Sequence, residues 1–108
     1  MTEPKTISEL MTLVMEECKK GNINNAIIYL NEAIEIEPKS VFAYRLRGDL
    51  KRKLGDYQGS INDYSKAIEI YPNKAYLYNY RSESKRKLGD NEGADEDDRK
   101  AEKLKNIF

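Results

Sequence analysis

In the middle of the chain, two consecutive stretches each place large residues on one face at the spacing of an α-helix. One face of the first stretch is formed by Tyr44, Arg47, Gly48 and Lys51. The corresponding face of the second stretch is formed by Ile61, Tyr64, Ala67, Ile68 and Tyr71. Residues spaced by three and four positions lie on one side of an α-helix, so both stretches are predicted to be amphipathic helices.

The segment between these stretches has the residues that end one helix and begin the next. Gly55 suits the left-handed backbone conformation that terminates many helices, and Asp56 suits the cap of the following one. Three cations precede them in the motif KRKLGD, where they oppose the negative end of the helix dipole. We therefore predict a mainly structural role for KRKLGD, with solvated cations. Pro72 is predicted to end the second helix, because proline cannot donate to the preceding turn.

The same motif occurs twice at a fixed distance. KRKLGDYQG begins at Lys51 and KRKLGDNEG at Lys85, an offset of 34 residues (85 minus 51). Other residues share this register, namely Gly21, Gly55 and Gly89, then Ala33, Ala67 and Ala101, and then Pro38, Pro72 and Asn106. The period predicts a short tail followed by three units, at 1–6, 7–40, 41–74 and 75–108.

A unit of 34 residues with two helices resembles the tetratricopeptide repeat, and the resemblance covers 7–108. The middle unit matches the family signature with Tyr44, Arg47-Gly48, Lys51, Ser60, Tyr64, Ala67 and Pro72. The first unit matches it with Leu10, Leu13-Val14, Glu17, Ala26, Leu30, Ala33 and Pro38. The third unit, which departs further, offers Tyr78, Arg81-Ser82, Lys85, Ala94, Asp98 and Ala101. The resemblance implies an all-α, right-handed α-solenoid of three helix-turn-helix repeats with six antiparallel helices.

The second and third repeats depart from the signature together. Arginine replaces the expected leucine in each first helix, and an aspartate stands in each second helix. The same registers of the first repeat hold Leu13 and Tyr29. A half-buried arginine is tolerated mainly when a carboxylate satisfies it, so we predict ion pairs between Arg47 and Asp63 and between Arg81 and Asp97.

The last repeat is predicted to act as its own cap, since the chain adds no separate C-terminal solvating helix. Its second helix carries Asp95, Asp98 and Glu102 at the registers of Ile61, Tyr64 and Ile68. A stacked array needs such a polar terminal surface to avoid aggregation. Ile107 and Phe108, at the end, are expected to fold back or to mediate association.

Composition narrows the classes of partner. The chain has 108 residues, and its 19 basic and 19 acidic side chains cancel, so total charge gives no reason to expect nucleic acid or an anionic membrane. The N-terminus lacks the basic and apolar regions of a signal peptide, and no apolar run approaches the ~18 residues of a membrane span. We therefore expect a soluble, cytoplasmic protein without a membrane partner.

The residues needed for catalysis and metal binding are mostly missing. Cys18 is the only cysteine and histidine is absent, which excludes intrachain disulfides, Cys/His zinc sites and histidine bases. The sequence also has no glycine-rich phosphate loop and no nucleophile-base pair. The acidic run ADEDDRK winds around a predicted helix near its N-terminus, where carboxylates favour the dipole rather than forming a metal cage. No enzyme activity, cofactor or metal is expected.

Tetratricopeptide proteins bind ligands in a concave groove lined by the first helix of each repeat. In the first repeat, the resemblance assigns to this groove Met11, Met15, Cys18 and Lys19. In the second repeat it assigns Phe42, Arg45, Leu46, Asp49, Arg52 and Lys53. In the third it assigns Tyr76, Asn79, Tyr80, Glu83, Arg86 and Lys87. Six cations and two anions leave four net positive charges here, and aromatic residues are predicted anchors.

The expected function is that of a small protein-interaction module without chemistry of its own. Its groove would bind an acidic peptide or helix with apolar anchors. One family function is argued against, because co-chaperone members clamp heat-shock chaperone carboxylates through lysine, asparagine and arginine. The corresponding positions here hold Met11, Met15, Leu46, Tyr76 and Tyr80.

Three alternatives stay open. The apolar groove residues could pack only between neighbouring first helices. The short array could be a self-associating scaffold, by repeat stacking or helix exchange. Nucleic acid could bind through aromatic residues interleaved with cations, although the neutral chain and its acidic outer face argue against this.

Overall fold

The computed structural model describes residues 5–107, which form six α-helices and no strand. They are α1 (Ile7–Lys20), α2 (Ile23–Ile36), α3 (Val41–Lys53), α4 (Tyr57–Ile70), α5 (Ala75–Lys87) and α6 (Asn91–Ile107). Each helix packs on the next along the chain, which produces an elongated body of 50 × 28 × 19 Å. The predicted all-α solenoid of three helix pairs is confirmed.

The turns within the second and third pairs have the predicted geometry. Gly55 has φ 82°, a left-handed conformation that costs glycine little, and the Asp56 carboxylate accepts a 2.9 Å hydrogen bond from the amide of Gly59. Gly89 and Asp90 repeat this arrangement with φ 86° and 2.9 Å. The Gly-Asp pair therefore ends one helix and begins the next at both copies of the motif.

The cations of KRKLGD differ from the prediction in part. The first lysine of each copy folds inward instead of being solvated: Lys51 Nζ lies 3.3 Å from Asp63, and Lys85 Nζ lies 3.0 Å from Asp97. The motif thus contributes to the ion-pair network inside its repeat as well as to the turn. The prediction missed this because it considered only the helix dipole, which a cation in the last turn favours while remaining in solvent.

Pro38 and Pro72 each follow a helix end, as predicted for Pro72. Helix α2 ends two residues before Pro38, and α4 ends two residues before Pro72. One detail of the predicted second helix is wrong, because Tyr71 lies beyond its end and does not share its packed face. The Tyr71 ring is 51% exposed, and the Lys74 ammonium lies 4.8 Å from its centre.

The core changes character along the solenoid. Between the first and second repeats it is apolar, and its buried members are Val14, Ala26, Leu30, Ala43 and Leu50. Towards the third repeat the buried set includes polar residues, namely Ser60, Asp63, Ser82, Ser84 and Asp97. No buried side-chain polar atom of the described residues lacks a hydrogen-bond partner. The later repeats therefore keep smaller apolar clusters and replace part of the apolar packing by satisfied polar contacts.

The predicted ion pairs are present and alike in both repeats. The Arg47 guanidinium donates to both carboxylate oxygens of Asp63, at 2.9 and 2.7 Å. Arg81 makes the same two bonds to Asp97, at 2.9 and 2.7 Å. Both aspartate side chains are only 5% exposed, so each carboxylate depends on its arginine and lysine for solvation.

The predicted polar end surface is also found. Asp95 and Glu102 are exposed on α6, and Asp98 is half-buried. Ile107 is 70% exposed and does not fold back onto the described residues. Phe108 and residues 1–4 of the predicted tail lie outside the described residues, so the expectation for Phe108 stays a prediction.

Candidate functional site

The side chains assigned to the groove lie on α1, α3 and α5, and they differ in exposure. Phe42 and Tyr76, at the starts of α3 and α5, are 51% and 42% exposed. Lys53 and Lys87, the last residues of the same two helices, are exposed as well. Aromatic rings and ammonium groups therefore occupy opposite ends of the first helices.

The apolar residues from the first and second repeats behave differently from these aromatics. Met11 and Leu46 are half-buried and pack against the apolar core. Met15 is 53% exposed. Part of the surface of Met11 and Leu46 is thus used in packing between helices, which was the first alternative. Met15, Phe42 and Tyr76 leave apolar surface exposed.

Three tyrosines form a connected cluster at the second and third repeats. The ring centres of Tyr76 and Tyr80 lie 5.8 Å apart in an edge-on arrangement, and Tyr80 lies 5.8 Å from Tyr64. The Arg52 guanidinium covers Tyr80 at 5.3 Å from the ring centre. Such stacking holds large rings in place before any partner arrives, which lowers the entropic cost of binding.

Tyr64 comes from α4, a second helix, and sequence analysis did not assign it to the site. Its hydroxyl donates a 2.5 Å hydrogen bond to the Asp49 carboxylate, while Arg45 binds the other oxygen of Asp49 at 3.0 Å. Burial and the neighbouring carboxylate raise the pKa of Tyr64 well above that of an ordinary phenol. The signal for this contact was Gly48, whose missing side chain leaves room for the Tyr64 ring.

The groove arginines are already bonded to carboxylates of the chain. Arg52 pairs with Glu83 at 2.5 Å, and Arg86 pairs with Asp95 at 2.7 Å and with Asp98 at 2.8 Å. These contacts tie α3 to α5 and α5 to α6. The sequence did not predict them, because they join residues that share no register.

The carboxylate that Arg86 meets on α6 is itself well held. The Ser82 hydroxyl donates a 2.6 Å hydrogen bond to Asp98. This bond and the Arg86 guanidinium lower the pKa of Asp98, because both favour its ionised form. Hydrogen bonding to Asp98 likewise raises the pKa of Arg86. The polar end surface and the groove are therefore one connected network.

The free positive charge of the groove comes from lysines. Within residues 5–107, no carboxylate forms an ion pair of 4.0 Å or less with Lys19, Lys53 or Lys87. The two groove anions, Asp49 and Glu83, are each bound to an arginine. Of the predicted residues, Asn79 is half-buried in the middle of α5. In the described residues, the groove arginines are thus paired with carboxylates, whereas these three lysines are not.

Metal-binding groups and membrane-spanning helices are both absent from the part of the chain that the structure describes. It holds no group of three or more Cys, Asp or Glu side chains arranged to bind a metal ion. None of its helices is both long and apolar enough to span a bilayer.

The helix pairs and their period agree with known sequence families. A family model described as TPR repeat matches 48–89, and one described as tetratricopeptide repeat matches 19–40. The chain is a tetratricopeptide-repeat protein. A search of curated proteins found no match to the sequence of this tetratricopeptide-repeat protein.

Solved structures share the fold of this tetratricopeptide-repeat protein. A crystal structure of MamA superposes with a TM-score of 0.91 at 20% identity, covering 97% of this chain and 61% of the MamA chain. Another, MamA MSR-1 C2, has a TM-score of 0.86 at 20% identity, covering 94% of this chain and 59% of that one. The chain therefore spans about three fifths of the MamA proteins it matches.

A third neighbour is a single tetratricopeptide domain with a bound peptide. The second TPR of Spaghetti (RPAP3), bound to the HSP90 peptide SRMEEVD, superposes with a TM-score of 0.83 at 17% identity. The match covers 94% of each chain. At such identities the likeness concerns the fold, and the peptide is a property of that protein.

Proposed function

We propose that this chain is a protein-interaction module that binds a segment of a partner protein in its concave groove. Tetratricopeptide repeats are typically interaction modules without enzyme activity, and the neighbour from RPAP3 carries a peptide. The unit that carries this function is proposed to be 7–108. We also propose a cytoplasmic location, where a single cysteine stays reduced.

The observation that carries the proposal is a pair of exposed rings, Tyr76 at the edge of the tyrosine cluster and Phe42 at the same register of α3. Large rings that are held in place yet remain exposed offer a partner apolar contact at little entropic cost. Tyr76 is held by Tyr80, and the Arg45 guanidinium lies 5.1 Å from the Phe42 ring centre. A surface of this kind is typical of interface hot spots.

The proposed partner segment is acidic. The groove's own acidic residues are satisfied by arginines, while the three unpaired lysines attract carboxylates from outside. A heat-shock chaperone carboxylate clamp is not part of the proposal, because the clamp positions hold methionine, leucine and tyrosine. The acidic partner is instead recognised by the unpaired lysines.

Affinity capture from the source lysate tests the proposal with two matched variants. Phe42→Ala/Tyr76→Ala removes exposed groove rings, and Ile28→Ala/Ile36→Ala removes equally exposed side chains from α2. Mass spectrometry should identify proteins that wild type and the α2 variant capture and the groove variant loses. Thermal unfolding of each variant checks that its fold is kept. If the groove variant captures the same proteins as wild type, the proposal fails.

A further inference from the structure

The groove is divided across its width into two rows of unlike chemistry. An aromatic row contains Phe42 and Tyr76, which occupy the same register of α3 and α5. A lysine row contains Lys19, Lys53 and Lys87, again at one register of α1, α3 and α5. Each row runs along the solenoid, because its members belong to successive repeats.

The two rows lie far enough apart to contact opposite sides of one ligand. Within α3, eleven positions separate Phe42 from Lys53, which is about 16 Å at the helical rise per residue. An α-helix with its side chains is about 10–12 Å wide, and lysine side chains reach several ångströms inward. A helix lying along the solenoid between the rows would therefore meet both.

The charged side chains on the floor between the rows are bound to one another. Arg45 and Asp49 bind each other, Asp49 accepts from Tyr64, and Arg52 binds Glu83. An extended peptide needs partners for its amides and carbonyls, whereas a helix satisfies its own. A helical ligand therefore needs no backbone bonds from the floor, and its width matches the spacing of the two rows.

We propose that the ligand is an acidic amphipathic α-helix of a partner protein. Its apolar side contacts the aromatic row, and its carboxylates contact the lysine row. The inference rests on the proposed function, since it specifies the partner of the same groove. Charge complementarity selects the occupant, because the three lysines at this edge have no carboxylate partner within the described residues.

A displayed library of random 18-residue peptides tests this inference on the intact chain. Peptides are selected on wild type and then compared on Lys53→Glu/Lys87→Glu and Phe42→Ala/Tyr76→Ala. Lys39→Glu/Lys100→Glu is the control, because it makes the same change in net charge at exposed lysines outside the groove. Circular dichroism of each variant checks that the helices are kept.

The selected peptides should have apolar residues at steps of three and four, with Asp and Glu on the opposite side. Their affinity should fall about tenfold on the groove lysine variant, because two attractive charge pairs at the rim become repulsive. Their affinity for the control variant should stay unchanged. Proline in the middle of a selected peptide should abolish binding. Higher salt should weaken binding to wild type more than to the lysine variant.

Two contrary results separate this inference from the proposed function. If the selected peptides lack helical periodicity or tolerate a central proline, yet lose affinity on the groove variants, the helix inference is wrong and peptide binding stands. If no selected peptide depends on either groove variant, both fail. Peptides with a net positive charge would overturn the assignment of an acidic partner.

Discussion

At the scale of single residues, each repeat pairs one side chain of its first helix with one of its second helix, and the two sizes complement each other. The pairs at this register are Val14 with Leu30, Gly48 with Tyr64, and Ser82 with Asp98. The middle pair combines the smallest residue with a fully buried ring, whose edge lies 2.8 Å from where a Cβ on Gly48 would be. Glycine at this point is therefore required by packing, since its backbone is ordinary helix.

Gly48→Ala is predicted to lower the free energy of unfolding by about 1 kcal/mol. Overpacking a core costs about 1–3 kcal/mol, and the gain in helix propensity offsets about 1 kcal/mol. Tyr64 cannot move away easily, because Asp49 binds its hydroxyl and Tyr80 stacks on its ring. Urea unfolding of the variant measures this change.

Tyr64→Leu is the second substitution for a double-mutant cycle with Gly48→Ala, because the first repeat packs Leu30 at that register. Replacing tyrosine by leucine should cost less stability in the Gly48→Ala background than in wild type. A Gly48→Ala protein more stable than wild type would contradict the predicted clash.

The raised pKa of Tyr64 predicts a loss of stability at alkaline pH. The unfolded chain releases the phenol proton near its ordinary pKa, about 10, while the folded chain keeps it to higher pH. Stability from this group is complete below that pH and is lost as the pH rises above it, by up to about 1.4 kcal/mol per pH unit. Urea unfolding between pH 8 and about pH 11 should show a steeper fall for wild type than for Tyr64→Phe. Equal slopes would contradict the prediction.

At the scale of elements, the repeated arginine connects three helices. Besides its aspartate, Arg47 donates to Asn31 of α2 at 2.8 Å, and Arg81 donates to Ser65 of α4 at 3.0 Å. Asn31 and Ser65 share one register of successive repeats. The ion pair within a repeat thus also joins that repeat to the preceding one.

Arg47→Leu is predicted to lower the free energy of unfolding by about 3 kcal/mol, because it leaves the buried Asp63 with Lys51 alone. Arg47→Leu/Asp63→Tyr, which copies Leu13 and Tyr29 of the first repeat, should recover most of that loss. A double-mutant cycle by urea unfolding measures the coupling.

The exposed pair of Lys66 and Glu69, 3.8 Å apart, is the control for this cycle. Its coupling energy should stay below about 0.5 kcal/mol. If Arg47 and Asp63 show a coupling no larger than the control pair, the ion pair does not stabilise the repeat.

At the scale of the whole molecule, the solenoid becomes more polar towards its last repeat. The apolar cluster of the first two repeats is followed by smaller apolar clusters and buried ion pairs, and then by the network of Arg86 with Asp95 and Asp98. At the register where Asn31 and Ser65 accept from the following repeat, the last repeat has Arg99. Because Arg99 is a cation and a donor, it does not favour the docking of a further repeat that brings an arginine to this register.

The chain is therefore predicted to be monomeric in solution, and light scattering at high concentration measures this. Asp95→Ile/Glu102→Ile, which restores apolar residues found in the middle repeat, should associate, because it exposes an uncovered apolar face. A wild-type dimer would favour the alternative of a self-associating scaffold. Association of neither protein would show that the charges on α6 are not what prevents stacking.

The sequence by itself determined the features that recur with its period. The helix pairs, the Gly-Asp turns and the pairing of Arg47 with Asp63 all followed from residues that share a register or change together. Helix boundaries and caps depend on a few neighbouring residues, and arginine and aspartate side by side in one repeat satisfy each other. Local rules therefore sufficed for these features.

Only the tertiary structure decided which charges of the groove are paired. Arg52 with Glu83, Arg86 with Asp98, and Tyr64 within the groove are contacts set by the way successive helices lean on one another. No periodicity specifies that geometry, because small rotations between repeats change which long side chains meet. For this reason the sequence predicted a basic groove, and the structure divided it into a self-paired floor and a row of free lysines.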